Sequence, residues 1–274
     1  MILNLDPYFK PVIGTEVDFE SFIFSGGEPH IRITSNLDQT KEVTVTHRLK
    51  SFNDFGLLLL AIDALKRMRV EKINAFIPYF PAARQDRVMT SGESLSVKVY
   101  ADILNAQNLN KVTVYDPHSE VTSALLNNCE VITNLNFIKE VIQTINEDVY
   151  LVSPDGGALK KIYKLASSLQ DYEVIECSKQ RDVKTRKLSG FKVYADDLKG
   201  KACLLVDDIC DGGGTFIGLA KELKAKNAGK LYLAVSHGIF SRGIADLKEH
   251  FEAVFSTNSF TNDQKNLTII NIEL

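Results

Sequence analysis

The chain has 274 residues, 45% of them hydrophobic and 24% charged, which is enough apolar material for two ordinary domains and too much for global disorder. Its formal net charge of -3 excludes nucleic-acid binding through a broad basic face. The most apolar run, GLLLLAIDAL from Gly56 to Leu65, is broken by Asp63 and too short to cross a bilayer, and the N-terminus MILNLDPYFKPVIG lacks the pattern of a secretory signal.

In chain order, SFIFSGGEPHIRI and KEVTVTHRL alternate apolar and polar residues, which predicts strands separated by a Gly-Gly turn. Asp54 to Arg69 is predicted helical, with Leu58, Ala61, Ile62 and Leu65 on one stripe. KINAFIPYF, Lys72 to Phe80, reads as a buried strand ended by Pro78; Leu95 to Asn105 is helical, and KVTVYDPH is the next strand. The pattern then restarts. DVYLVSPDGG is strand and loop, Ala158 to Leu169 helix, YEVIECSKQR a strand running into charge, KACLLVDD a strand, Thr215 to Lys226 helix, KLYLAVSHGIF a strand, and NLTIINIEL closes the chain. This order predicts an α/β protein with two similar domains, 1–133 and 134–274, each a mainly parallel sheet flanked by helices. The charged stretch Lys179 to Lys187 is expected to be a mobile loop. Cys129, Cys177, Cys203 and Cys210 show no C-x-x-C spacing and read as free thiols of a reducing compartment, with the cytoplasm as the expected location.

The chemistry concentrates in LLVDDICDGGGT, Leu204 to Thr215. Ala202 to Val206 is wholly apolar, as expected of a central parallel strand, and Phe216, Leu219, Ala220 and Leu223 fall on one helical face. The cluster therefore sits between a strand's carboxyl end and a helix N-terminus, where ligands of open α/β sheets bind. Glycines let backbone N–H groups turn toward a phosphate, and the helix dipole favours the anion. Asp207 and Asp208 repel that phosphate but suit sugar hydroxyls or a divalent cation further along. A sugar phosphate satisfies both halves. No G-x-x-x-x-G-K-[ST] and no post-strand G-x-G-x-x-G is present.

This segment resembles the ribose-phosphate signature of the phosphoribosyltransferase fold. With FSGGE (Phe24 to Glu28), IPYFPAARQDR (Ile77 to Arg87), DPHSE (Asp116 to Glu120), SPDGG (Ser153 to Gly157) and SHGIFS (Ser236 to Ser241), the chain resembles the ribose-phosphate pyrophosphokinases over nearly its whole length. The resemblance implies two phosphoribosyltransferase-like domains and transfer of a diphosphoryl group from ATP to the anomeric hydroxyl of ribose 5-phosphate, with Mg2+ as cofactor, in nucleotide biosynthesis. It implies ATP contacts from Arg84, Gln85, Asp86 and His118, and from Phe24 and Glu28 of a neighbouring copy, hence a homo-oligomer of at least two chains. It implies metal contacts from His118 and Asp155, a diphosphate loop of Asp155, Gly156 and Gly157, catalytic cations at Lys179 and Arg181, and a ribose-phosphate loop of Asp207, Asp208, Asp211, Gly212, Gly213, Gly214 and Thr215.

The chain departs from the family pattern at four places. Gly26 replaces an acid, Ala158 a glycine and Gly212 a threonine, and NLTIINIEL stops before a final helix, so the family's hexamer and nucleotide regulation are not implied. The room expected at Gly212 motivates an alternative acceptor, a larger ribose 5-phosphate compound such as ADP-ribose, which would place the chain in NAD metabolism. A second alternative is a silent, nucleotide-binding regulatory subunit; Lys179, Arg181, Arg84 and His118 argue against it. A base-utilising phosphoribosyltransferase needs the ribose-phosphate loop but not the ATP-site segments.

Overall fold

The computed structural model describes residues 1–170, 172–181, 188–261 and 267–273. The chain divides into two compact units, Met1–Thr133 with Asn271–Leu274, and Asn134–Ile270.

The first unit is built from β1 (Ile2–Asn4), β2 (Phe19–Ile23), β3 (Pro29–Ile33), β4 (Val43–Thr46), α1 (Phe52–Arg67), β5 (Ile73–Ile77), α2 (Ser96–Asn105), β6 (Lys111–Tyr115), α3 (Glu120–Leu125) and β7 (Cys129–Ile132). Its five-stranded sheet runs β1-β4-β5-β6-β7, all parallel, while β2 and β3 pair separately as an antiparallel hairpin. β5 is buried along its whole length, and four of its five residues are apolar; Asn74 is the exception. α1 starts at a capping box: the Ser51 hydroxyl accepts from the Asp54 N–H, and the Asp54 carboxylate accepts from the Ser51 N–H at 2.7 Å. Its Phe55, Leu58, Ala61, Ile62 and Leu65 pack into one core with Val43, Val45, Ala75 and Ile77.

His47, just past β4, is buried with neither ring nitrogen hydrogen-bonded. Burial lowers its proton affinity from the ordinary 6.5, and the charges of Asp54 and Asp6 offset this only in part. The unfolded chain therefore takes up a proton near pH 6.5 that the folded chain resists, so stability falls as the pH drops below that value. We expect the urea midpoint of the wild type to fall further than that of His47→Gln between about pH 7 and about pH 5. Parallel profiles would clear His47 of this role.

The second unit contains α4 (Leu135–Ile145), β8 (Val149–Ser153), α5 (Leu159–Ser168), β9 (Val174–Arg181), β10 (Leu188–Val193), β11 (Ala202–Cys210), α6 (Gly214–Ala225), β12 (Leu231–Gly238), α7 (Ala245–Lys248), β13 (Ala253–Thr257) and β14 (Thr268–Ile270). Its sheet runs β10-β9-β8-β11-β12-β13-β14, parallel except for the β9/β10 pair. One core gathers Phe216, Leu219, Ala220 and Leu223 of α6 with Leu205, Leu233 and Val235; another gathers Phe137, Ile138 and Val141 of α4 and Ile162, Leu165 and Ala166 of α5 with Leu204, Val206 and Ala234. Alternate residues of β11 thus feed two different cores, as a strand with helices on both faces requires.

Two local expectations change. β11 runs on past the apolar Ala202–Val206 and past the end of KACLLVDD to Cys210, because β12 keeps pairing with it up to Gly238. Lys179 and the Arg181 backbone belong to β9, which turns into pairing with β10 instead of leaving the sheet at Lys179. Residues 182–187 of the expected loop, and the Arg181 side chain, lie outside the described residues.

Candidate active site

In the second unit, β9, β8 and β11 are neighbours, and their carboxyl ends bring three segments together. The first is Lys179 on β9. The second is the turn after β8, where Asp155 Oδ1 accepts hydrogen bonds from the Gly157 N–H at 2.9 Å and the Ala158 N–H at 3.1 Å. Gly156 and Gly157 stand exposed at its tip. Ala158 has φ of -79°, which an alanine adopts without strain, so replacing a glycine there leaves this turn intact. The third segment is the end of β11 with the turn into α6. Gly213 takes the left-handed φ of 75°, and α6 begins at Gly214. That conformation favours glycine and aims the first N–H groups of the helix, which have no partner inside it, past the strand end.

Lys179 ties these segments. Its Nζ lies 2.7 Å from Asp155 Oδ2 and donates to Thr215 Oγ1 at 3.4 Å. Burial disfavours a charged Asp155, but the hydrogen bond and charge of Lys179, with the Ala158 and Gly157 amides, outweigh it and hold the carboxyl below its ordinary range. Asp207 behaves oppositely. Burial first, then the charge of neighbouring Asp208, with a further contribution from Asp155, raises its pKa well above the ordinary 3.8. Its Oδ1 accepts from the Asp208 N–H at 2.9 Å. Asp155, Asp207 and Asp208 therefore press on one another beside Lys179, an arrangement that favours added positive charge or hydroxyl donors.

Among the described residues no group of three or more His, Cys, Asp or Glu side chains is placed to hold a metal ion alone. The donors here are nevertheless hard oxygens, which suits Mg2+ if the ion keeps waters and takes phosphate oxygens as its remaining ligands. Cys210, buried at the end of β11, has its thiol pushed up to about 12 by burial and then by Asp207 and Asp211, which keeps it from acting as a nucleophile.

The first unit presents the other candidate residues at the carboxyl ends of its own strands. Ala82 takes a φ of 57° and turns the chain after β5, with the Gln85 N–H donating to the Ala82 carbonyl at 2.8 Å; Arg84 and Gln85 are exposed on this turn. Asp86 is buried and accepts from Arg87 Nε at 2.9 Å. The hydrogen bond and charge of Arg87 hold the pKa of Asp86 low against burial. His118 is exposed beyond β6. Asp155 belongs to the other unit, so each half of the expected metal pair is placed by its own unit. Phe24 and Glu28 sit on the tip of the β2/β3 hairpin, where Phe22 and Phe24 meet edge-on with centroids 4.8 Å apart. A Cβ at Gly26 would lie 2.5 Å from Glu28 Oε2, so the Glu28 carboxylate occupies the space that an acid at Gly26 would need.

Sequence reasoning assigned no role to Ser241 or Arg242. The structure brings both onto the glycine turn: Ser241 Oγ donates to Asp211 Oδ1 at 2.6 Å, and Arg242 Nε would stand 3.6 Å from a Cβ at Gly212. The room expected at Gly212 is thus partly filled by an arginine. SHGIFS stops one residue short of that side chain, and nothing in the spacing shows that the loop folds back.

Residues 14–107 match the N-terminal domain of ribose phosphate pyrophosphokinase, and residues 124–266 match the phosphoribosyl transferase domain. The chain is 31% identical over 236 residues to a ribose-phosphate pyrophosphokinase of Mycoplasma genitalium, covering 85% of this chain and 69% of that one. It is 28% identical over 269 residues to a ribose-phosphate pyrophosphokinase of Sulfolobus acidocaldarius, covering 96% and 91%. It resembles the crystal structure of a phosphoribosylpyrophosphate synthetase from Mycobacterium smegmatis with a TM-score of 0.81 at 27% identity, over 94% of this chain and 87% of that one. Two domain matches in the right order, relatives that run through both domains and a shared fold make this chain a member of the ribose-phosphate pyrophosphokinase family of enzymes.

Proposed function

We propose that the enzyme transfers the diphosphoryl group of ATP to the anomeric hydroxyl of ribose 5-phosphate, giving phosphoribosyl pyrophosphate and AMP. The observation that carries this reading is Lys179, which joins the Asp155 turn to the Thr215 turn through contacts of 2.7 and 3.4 Å. One cation shared between two anion-ready turns fits a reaction in which a diphosphate moves next to a sugar phosphate. The anomeric oxygen attacks the β-phosphorus, a new O–P bond forms, the bond between the β-phosphorus and its bridge to the α-phosphate breaks, AMP leaves with that electron pair, and the hydroxyl proton is lost. No covalent enzyme intermediate is required. The chain positions two substrates and neutralises charge as it develops.

In this reading Gly212, Gly213, Gly214 and Thr215 cradle the 5′-phosphate, with Asp211 beside it, and Asp207 and Asp208 hold the ribose hydroxyls. Asp155, Gly156 and Gly157 receive the diphosphate, and Lys179 with Arg181 stabilises its charge. Arg84, Gln85, Asp86 and His118 bind ATP. Phe24 and Glu28 serve the nucleotide of a second copy, which agrees with Phe22, Ile23 and Phe24 being exposed on the hairpin. Asp155 and the Asp207/Asp208 pair would hold Mg2+ in the second unit, directly or through water, and His118 would serve the metal from the first; the ion would supply charge neutralisation on the phosphates.

A second reading, transfer to a larger ribose 5-phosphate compound such as ADP-ribose, draws on the Gly212/Arg242 arrangement, since an extra arginine suits an acceptor with more than one phosphate. The test is AMP release from ATP with each acceptor in turn. We expect fast AMP release with ribose 5-phosphate and slow release with ADP-ribose. The reverse order supports the second reading, and ATP left intact with both supports a silent subunit.

A further inference from the structure

Arg242 is exposed, and among the described residues no carboxylate or hydrogen-bond acceptor engages its guanidinium. It is nonetheless held in one place by its backbone. The Ile239 and Phe240 N–H groups both donate to the Cys210 carbonyl, at 2.9 and 3.1 Å, and the Ser241 N–H donates to the Asp211 carbonyl at 3.2 Å. Phe240 is buried in the left-handed region with φ of 46°, and the Gly243 N–H closes the turn onto the Phe240 carbonyl at 2.8 Å. Asp211, the nearest acid in sequence to the glycine turn, is engaged by the Ser241 hydroxyl at 2.6 Å. Arg242 is thereby carried across Gly212, with its Cδ and Nε each 3.6 Å from where a Cβ would stand. Residue 212 supplies no side chain of its own to a ligand on this turn.

We infer that Arg242 is a specificity-determining residue that binds the acceptor's 5′-phosphate from outside the glycine turn. This rests on the reading that the turn holds that phosphate. The turn supplies backbone N–H groups and the positive end of α6 on one side; Arg242 supplies a planar, permanently charged donor on the other, suited to two parallel hydrogen bonds to a phosphate. The pinning of residues 239–241 to β11 fixes the backbone that carries Arg242, so the side chain alone is left to order when the ligand arrives. The arginine meets the acceptor and not the transferred group, so its effect falls on binding and leaves the chemical step alone.

The experiment pairs Arg242→Ala and Arg242→Lys with the wild type. Equilibrium titration with ribose 5-phosphate in the absence of ATP is expected to show affinity about 10- to 100-fold weaker in Arg242→Ala and intermediate in Arg242→Lys. In turnover, the KM for the acceptor rises by a similar factor while kcat and the KM for ATP hold. Urea midpoints equal to wild type separate this from a merely structural loss. Unchanged affinity for ribose 5-phosphate in Arg242→Ala overturns the inference, and so does a loss confined to ADP-ribose, which would assign the arginine to a second phosphate. A wild type that binds ribose 5-phosphate but releases no AMP defeats the proposed reaction and leaves the titration to decide on Arg242.

Discussion

Replacing Lys179 with methionine is expected to lower kcat about a thousandfold while changing the affinity for ribose 5-phosphate by only a few-fold. The lysine sits where the Asp155 turn and the Thr215 turn meet, with its Nζ 2.7 Å from Asp155 Oδ2. In the proposed reaction, negative charge accumulates on oxygens beside that ammonium as the diphosphate moves from one turn toward the other. A positioned cation is worth most at that moment, because it contributes to the transition state more than to either bound substrate. Methionine keeps the apolar stem and removes the charge. It also removes the ammonium paired with Asp155, beside Asp207 and Asp208, so the charge balance there shifts against the incoming diphosphate. Lys179→Arg is expected to recover part of the rate, since charge is kept but the compact ammonium is not. Steady-state rates of AMP formation, with titration of the acceptor, separate the two effects. A kcat within tenfold of the wild type in the methionine variant would place the catalytic charge elsewhere.

Asp207→Asn is expected to abolish most activity and at the same time stabilise the ligand-free second unit. The carboxyl is crowded by burial and by the charge of Asp208, and its ionisation is opposed in the folded state. Asparagine has nearly the same shape. Its Oδ1 can still accept the Asp208 N–H, a bond of 2.9 Å in the wild type, so the strand end is not disturbed. Removing a disfavoured charge of this kind yields roughly 1 kcal/mol, seen as a melting temperature higher by about 2–4 °C. The same change weakens the grip on ribose hydroxyls or on a bridging cation, which should cost at least about a hundredfold in turnover. Opposite movement of stability and activity is the signature of a side chain kept for its site and not for its fold. Thermal melts without ligand and AMP release measured on the same preparation test both halves. A destabilised, active variant would mean that Asp207 is an ordinary structural residue.

Much of this was legible in the chain, for identifiable reasons. β5, the first part of β11 and the first part of β12 are buried on both faces, so each reads as a mainly apolar run, and α1, α2, α5 and α6 each carry a clear apolar stripe. α4 carries a stripe of the same kind, with Phe137, Ile138 and Val141 buried, but it lies just past the domain boundary, where no element was predicted. α3 and α7, of six and four residues, are too short for periodicity to register. The end of β11 was placed short of Cys210 because the acids and glycines around Ile209 and Cys210 look like a turn; pairing of Ile209 and Cys210 with β12 extends the strand.

The site was legible where chemistry is written in adjacent residues, as in Asp207 to Thr215, or where a motif marks a strand end, as at Asp155. It was not legible where it depends on chain reversal. Ser241 and Arg242 lie about 30 residues from Asp211 and Gly212, and meet them only because β12 runs parallel to β11 and its following loop turns back. The meaning of Gly26 was likewise hidden until the Glu28 carboxylate was found folded over it.

The most direct measurement is a crystal structure with ribose 5-phosphate bound. The prediction is phosphorus against the backbone N–H groups of Gly212 to Thr215, with the sugar hydroxyls directed to Asp207 and Asp208 and the anomeric carbon turned toward Lys179 and the Asp155 turn. Density for the sugar phosphate anywhere else, or bound with its phosphate toward the acids, would contradict the account.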